Sequence, residues 1–301
     1  MINEQKPSRF VYDEFNIQNA DFYNIDLTRD NKAFLNPYEI EFLDHPIAKK
    51  ATAVAIDFFE TVRQYMLADD FETAQKLFCQ HLSEPRETCL GLSSSGVCGK
   101  GIRDMASYVL KEIYDNETLK HTIRRIEDIK LFVPNISNDR VSDIYTNVIR
   151  KVLLEYTKEQ CRLYGQTLIT KETAMYWNNE THNWEKQKEF EQFFWSDGLP
   201  KLLVPKCFIT RDTYNNLRFN RYELIPEFIS QELQKNDSAI VKELKDGTKK
   251  VTKKDMMAEL SRRQIPLDKY AARKYAASHP DCLTHFRNAL LEQRNRRKRK
   301  K

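Results

Sequence analysis

The sequence predicts an α+β fold: a predominantly helical body with a small sheet, followed by a basic C-terminal helical module. Three observations carry that prediction. Only 7 glycines and 10 prolines punctuate 301 residues, too little turn chemistry for an all-β chain. Apolar residues recur at helical spacing over long runs. Charge is divided unevenly: residues 235–301 hold 20 Lys and Arg against 8 Asp and Glu, a net of +12, while the remainder nets −7. An acidic body with a basic end points to a polyanion, nucleic acid first, as the partner of that end.

Composition narrows the class further. A charged fraction of 31% beside 41% hydrophobic and 11% aromatic residues is that of a folded chain. No run approaches the roughly 20 apolar residues that a membrane span needs, so no membrane partner is expected. Residues 1–6 lack the apolar core of a signal peptide. The six cysteines, at positions 79, 89, 98, 161, 207 and 282, include no CxxC pair. Reduced thiols in a cytoplasm are the expectation.

Taken in order, residues 1–20 read as a flexible polar arm, and 21–234 as the α+β body. Phe22–Leu27 alternates like a strand, and Ala33–Leu35 reads as its return before Asn36-Pro37. Ile47, Ala51, Val54, Phe58, Val62 and Met66 mark a helix over 46–67, and a second helix covers about 70–82. Four of the seven glycines fall in Gly91–Gly101, ahead of a helix over about 102–115. Ile129–Val133 reads as a short strand, and Ser142 as the N-cap of a helix over 143–164. The aromatic segment 172–197 leads to an apolar strand over 201–209, interrupted by Pro205. Residues 235–293 form the basic module, with helices over about 253–263, 268–278 and 281–294, and 294–301 is a basic tail.

Four features bear on chemistry. Glycines permit close approach of backbone N–H groups to a ligand, so Gly96, Gly99, Lys100 and Gly101 read as a phosphate cradle opening a helix. The spacing departs from a Walker A loop. Asp139 and Asp143, with Lys206 at a strand end, have the residue types of a Mg²⁺-dependent phosphodiesterase. The acids would hold the metal that activates water, and the lysine would steady developing charge. Asp143 at a helix start would have a lowered pKa. Pro134–Asp143 with Val204-Pro205-Lys206 resembles the PD-(D/E)XK restriction-endonuclease-like nucleases. Val204 stands where that family has an acid, so Glu87 or Glu159 would have to supply the further carboxylate to the metal. The Cys and His residues around Cys79, His81, Cys89 and Cys98, and around His279, Cys282 and His285, lack the paired spacings of a zinc site.

Finally, Lys253, Lys254, Arg262 and Arg263 on short helices, with Arg294, Arg296, Arg297, Lys298 and Arg299 in the tail, read as a nucleic-acid-binding surface. Nothing in them specifies DNA over RNA. The segments Asp26–Asp30, Phe34–Pro37, Ser83–Ser93, Asp139–Ile149 and Leu202–Lys206, taken together, resemble an uncharacterised bacterial protein family associated with mobile elements and antiviral defence neighbourhoods. The resemblance implies nucleic-acid chemistry. The expected function is therefore a nucleic-acid-acting protein, most concretely a Mg²⁺-dependent nuclease. The alternatives are a non-enzymatic nucleic-acid-binding or adaptor subunit with a protein partner, and a nucleotide sensor using the glycine loop.

Overall fold

A computed structural model describes residues 7–91, 101–195, 198–210, 215–235 and 237–299. The chain divides into two compact units: residues 1–129 with 135–213, and residues 130–134 with 214–301. The second unit thus takes in residues 214–234, which the sequence reading placed in the body. The α+β class and helical predominance are as the sequence predicts.

The first unit opens with α1 (Val11–Phe15). This stretch reads as flexible arm in sequence, yet Val11, Tyr12 and Phe15 are buried. One helical turn is too short to be stable alone, so only its packing reveals it. Tyr12 Oη donates to the Phe22 carbonyl at 2.7 Å, and Phe15 packs edge-on against Phe22 and Phe193. β1 (Phe34–Leu35) and α2 (Pro37–Glu41) lead to α3 (Pro46–Leu67), which buries the stripe that the sequence marks. Next come α4 (Phe71–Cys79), α5 (Ile102–Tyr114) and α6 (Glu117–Thr122). Ile129–Val133 is not a strand: its first four residues form α7 (Ile129–Phe132), most of which belongs to the second unit. Five apolar-rich residues suit a buried helical turn as well as a strand, and periodicity cannot separate the two.

The helix expected over 143–164 is two helices, α8 (Asn138–Val148) and α9 (Arg150–Leu163). The N-cap is Ser137, which accepts from the Arg140 amide. Ser142 instead accepts the Leu35 amide at 3.0 Å. Small antiparallel pairings complete the unit. β2 (Ile169–Lys171) pairs with β5 (Phe190–Phe194), which also pairs with β6 (Pro200–Lys201). Between them, β3 (Tyr176–Asn178) and β4 (Asn183–Glu185) form a hairpin. β7 (Ile209–Thr210) pairs with β1. The strand expected over 201–209 is broken because Pro205 offers no N–H to a ladder, and Lys206–Phe208 turns as a 3₁₀ helix. Phe22–Leu27 makes no ladder either, only bridges such as Phe22 with Pro205. The aromatic segment seals the core: Phe58, Phe78, Trp177 and Trp184 pack together, and Trp177 Nε1 donates to Asp57 at 2.7 Å.

The second unit contains α10 (Asn215–Phe219), a π-helical turn over Asn220–Leu224, and α11 (Ile225–Gln234). A hairpin of β8 (Lys242–Glu243) and β9 (Lys249–Lys250) follows, then α12 (Lys253–Arg262), α13 (Lys269–Ser278) and α14 (Cys282–Lys298). Val251, Met256 and Leu260 form one core against α11. Another is aromatic: Phe219 packs edge-on against Phe132 and Phe286. The segment 130–134 is held by its carbonyls, with Lys269 Nζ donating to Val133 O at 2.6 Å and Arg273 Nε to Phe132 O at 2.8 Å. Cys79, Cys89, Cys161, Cys207 and Cys282 are free thiols. Among the described residues, no helix is long and apolar enough to cross a membrane.

Candidate functional site

In the first unit, Asp139 and Asp143 come close on α8. That helix starts at Asn138, so Asp143 lies in its second turn, only 5% exposed. The lowered pKa expected of a helix-start acid is replaced by the reverse. Burial pushes the Asp143 carboxyl up to about 8, the charges of Asp139 and Glu84 add to the rise, Arg140 opposes it, and Asp30 adds a little more. Arg140 Nη1 stands 3.1 Å from Glu84 Oε1 and 3.7 Å from Asp143 Oδ2. Three other carboxylates thus act on Asp143, and Arg140 stands within 4 Å of both Asp143 and Glu84. Sequence reasoning missed Asp30, Glu84 and Arg140. Their one signal was that all three fall in the segments that carry the bacterial-family resemblance.

The other acid and lysine of the expected centre have different partners. Glu87 accepts from Arg150 Nε at 2.7 Å. Arg150 is 2% exposed and also donates to Asn147 and to the Met175 carbonyl. A buried guanidinium needs such a counter-charge, and Glu87 supplies it. Lys206 Nζ donates to Asn19 Oδ1 at 2.6 Å and lies over the Tyr12 ring. Val204 is buried, and Glu159 is exposed on α9. Among the described residues, no three His, Cys, Asp or Glu side chains are arranged to hold a metal ion. Of the expected phosphate cradle, Gly96, Gly99 and Lys100 lie outside the described residues. Gly101 is the N-cap of α5, with φ −53° and ψ 149°. Gly91, before the cradle, lies close to Asp30, since an added Cβ would stand 3.4 Å from its carboxylate.

In the second unit the expected cations divide into two kinds. Arg262 grips Glu259 through two hydrogen bonds of 2.9 and 2.6 Å. Arg263 donates to both oxygens of Glu232, at 2.9 and 3.0 Å, and to Glu259 at 2.5 Å. Glu232 is fully buried. Burial alone would raise its pKa, but hydrogen bonds from Lys235, Ser238 and Arg263 bring it down to about 2. Arg263 therefore ties the end of α12 to α11, while Arg262 pairs within α12. Lys253 and Lys254, by contrast, are exposed on the first turn of α12. Arg296, Arg297, Lys298 and Arg299 are exposed and Arg294 half-buried at the end of α14. That helix continues to Lys298, with cations at the end its dipole favours.

Residues 14–216 match the model of a protein family described as a domain of unknown function, DUF8370. The chain belongs to the DUF8370 family. The DUF8370 segment takes in Asp139, Asp143 and Lys206, whereas every cation from Lys253 onward lies beyond it. No curated protein and no solved structure matches the chain.

Proposed function

We propose that this protein acts on nucleic acid and holds it through the cationic surface of its second unit. The observation that carries the reading is the division of charge just described. Arg262 and Arg263 are engaged by the buried acids Glu259 and Glu232, and Arg296 pairs with Glu292. Lys253, Lys254 and, at the end of α14, Arg297, Lys298 and Arg299 present their charges to solvent with no ion pair among the described residues. Several exposed cations neutralise several phosphates at once and release counterions. The resemblance to proteins of mobile-element and antiviral neighbourhoods supports the same class of ligand.

Removing residues 294–301 tests the reading. The truncated protein should bind all nucleic acids more weakly, and its plot of log K against log salt should be flatter. Each lost phosphate contact contributes a slope of about 0.9 on duplex DNA. Binding by the intact chain that is absent, or indifferent to salt, would remove the proposal.

A second reading, a Mg²⁺-dependent nuclease, is favoured by the electrostatic reach of Asp139, Glu84 and Asp30 to Asp143, although no three of these carboxylates are arranged around one point. Oxygen donors suit a hard divalent cation, whose charge would offset the carboxylates. Cleavage of DNA or RNA in the presence of Mg²⁺, abolished by EDTA and reduced at least about a hundredfold in Asp143→Asn, is its expected signature. Wild-type protein that binds nucleic acid but leaves it intact, with Mg²⁺ or Mn²⁺ present, would leave binding as the function.

A further inference from the structure

Within the second unit, five lysines with no ion pair among the described residues gather on one stretch of chain. Lys245, Lys249 and Lys250 are exposed on the β8–β9 hairpin and its turn, and Lys253 and Lys254 on the first turn of α12. Among the described residues none of the five has a carboxylate within 4 Å. Lys242 differs, with Asp255 at 2.6 Å.

The fold holds three of these charges, Lys250, Lys253 and Lys254, where its own stability would not place them. Across the ladder Lys249 faces Glu243, but Lys250 faces Lys242, and like charges directly opposite one another are destabilising. Lys253 and Lys254 occupy the first two positions of α12, where the positive end of the helix disfavours cations. Breaches of local rules of this kind concentrate at functional surfaces.

The residue types narrow the ligand. Residues 229–269, the hairpin and α12 included, contain no Phe, Tyr, Trp or His, so these elements carry no ring of their own on which an unpaired base could stack. Its two arginines, Arg262 and Arg263, are held by Glu259 and Glu232. The remaining cations are lysines, which act as point charges and lack the planar fork of arginine. A point charge suits a phosphate, and contacts to phosphates carry no sequence information. A two-stranded ribbon is accommodated by the major groove of B-form DNA and not by the deep, narrow groove of A-form RNA.

We propose that the β8–β9 hairpin and the start of α12 form a sequence-independent seat for the phosphate backbone of duplex DNA, whose charge relieves the repulsion built into the free protein. The inference rests on the nucleic-acid-binding reading of the second unit.

The full-length chain is titrated with two short DNA duplexes of unrelated sequence, one of their single strands, and a duplex RNA, across a range of salt. The two DNA duplexes should bind within about twofold of each other, and single-stranded DNA and duplex RNA about tenfold more weakly or worse. Five phosphate contacts contribute about −4.5 to the slope of log K against log salt. Replacing Lys249, Lys250, Lys253 and Lys254 with Gln should remove about −3.6 of that slope and weaken both duplexes at least tenfold. Separately, Lys253→Glu with Lys254→Glu should raise the melting temperature of the free protein while weakening DNA. A preference for single strands or RNA, a dependence on sequence, unchanged affinity in the Gln variant, or a lowered melting temperature in the Glu variant would each overturn the inference. Nucleic-acid binding through α14 would still stand in those cases. Wild-type protein that bound no nucleic acid at all would overturn both.

Discussion

Replacing Asp143 with Asn should make the protein more stable at pH 8 and leave it nearly unchanged at pH 4. The carboxyl is buried and its folded pKa is pushed up to about 8 from an ordinary 3.8. Between those values the folded state keeps a proton that the unfolded state has released. Stability therefore falls as pH rises through that window and levels off above about 8. The swing is about 6 kcal/mol as an upper bound, because one pKa unit corresponds to about 1.36 kcal/mol. Asparagine has the same shape and no charge to bury, so its stability curve should be flatter by that amount. Urea midpoints at pH 5, 6, 7 and 8 make the comparison. Parallel curves, with the variant less stable throughout, would mean that Asp143 is ionised and paired with Arg140. The outcome also bears on the nuclease reading, since only the ionised carboxylate is a ligand for Mg²⁺.

The second large effect is expected at Phe132. Its side chain is fully buried and packs against Phe219, which in turn meets Phe286. Phe132→Ala should lower stability by about 3–5 kcal/mol, the range for truncating a buried aromatic. The location of the damage is the sharper part. Segment 130–134 belongs with residues 214–301, so hydrogen-exchange protection should drop in α10, α13 and α14 before it drops in α3 or α9. Phe132→Leu, which keeps most of the volume, should recover much of the loss. A drop centred on α3 would show that the segment's main packing is with the first unit. By the same argument, residues 214–301 expressed alone lack part of their core and should fold less cooperatively than they do in the whole chain.

The acid cluster illustrates how far the sequence could go. Asp139 and Asp143 were found as acids at a loop and at the start of the helix expected over 143–164, and only the structure places both on α8. Their further partners, Asp30 and Glu84, are more than fifty residues away along the chain, and no spacing rule links them. Lys206 was assigned to the same centre from its strand-end position and the PD-(D/E)XK resemblance, and Glu87 on residue type alone. The fold gives Glu87 to Arg150 and Lys206 to Asn19, because a buried guanidinium and a nearby amide lay within reach. The sign of the Asp143 shift also depended on tertiary structure. Helix position alone argues for a lowered pKa, but desolvation depends on what the rest of the chain packs over it.

By itself, the sequence determined the α+β class, the long helix α3 over 46–67, and a basic C-terminal region of helices. Each depends on local periodicity or composition, which needs no knowledge of distant residues. Only the tertiary structure separated Lys253 and Lys254 from Arg262 and Arg263. All four are cations on one short helix and look equivalent in sequence. All four are exposed, but the arginines pair with Glu232 and Glu259, and the lysines make no ion pair among the described residues. A charge is free to contact a ligand only if nothing in the fold neutralises it, and that is decided by distances in space. Likewise, Ile129–Val133 reads as a strand until Phe132 is seen inside an aromatic core. Burial of an apolar run does not depend on whether it is coiled or extended, so its conformation was set by the partners available to pack against it.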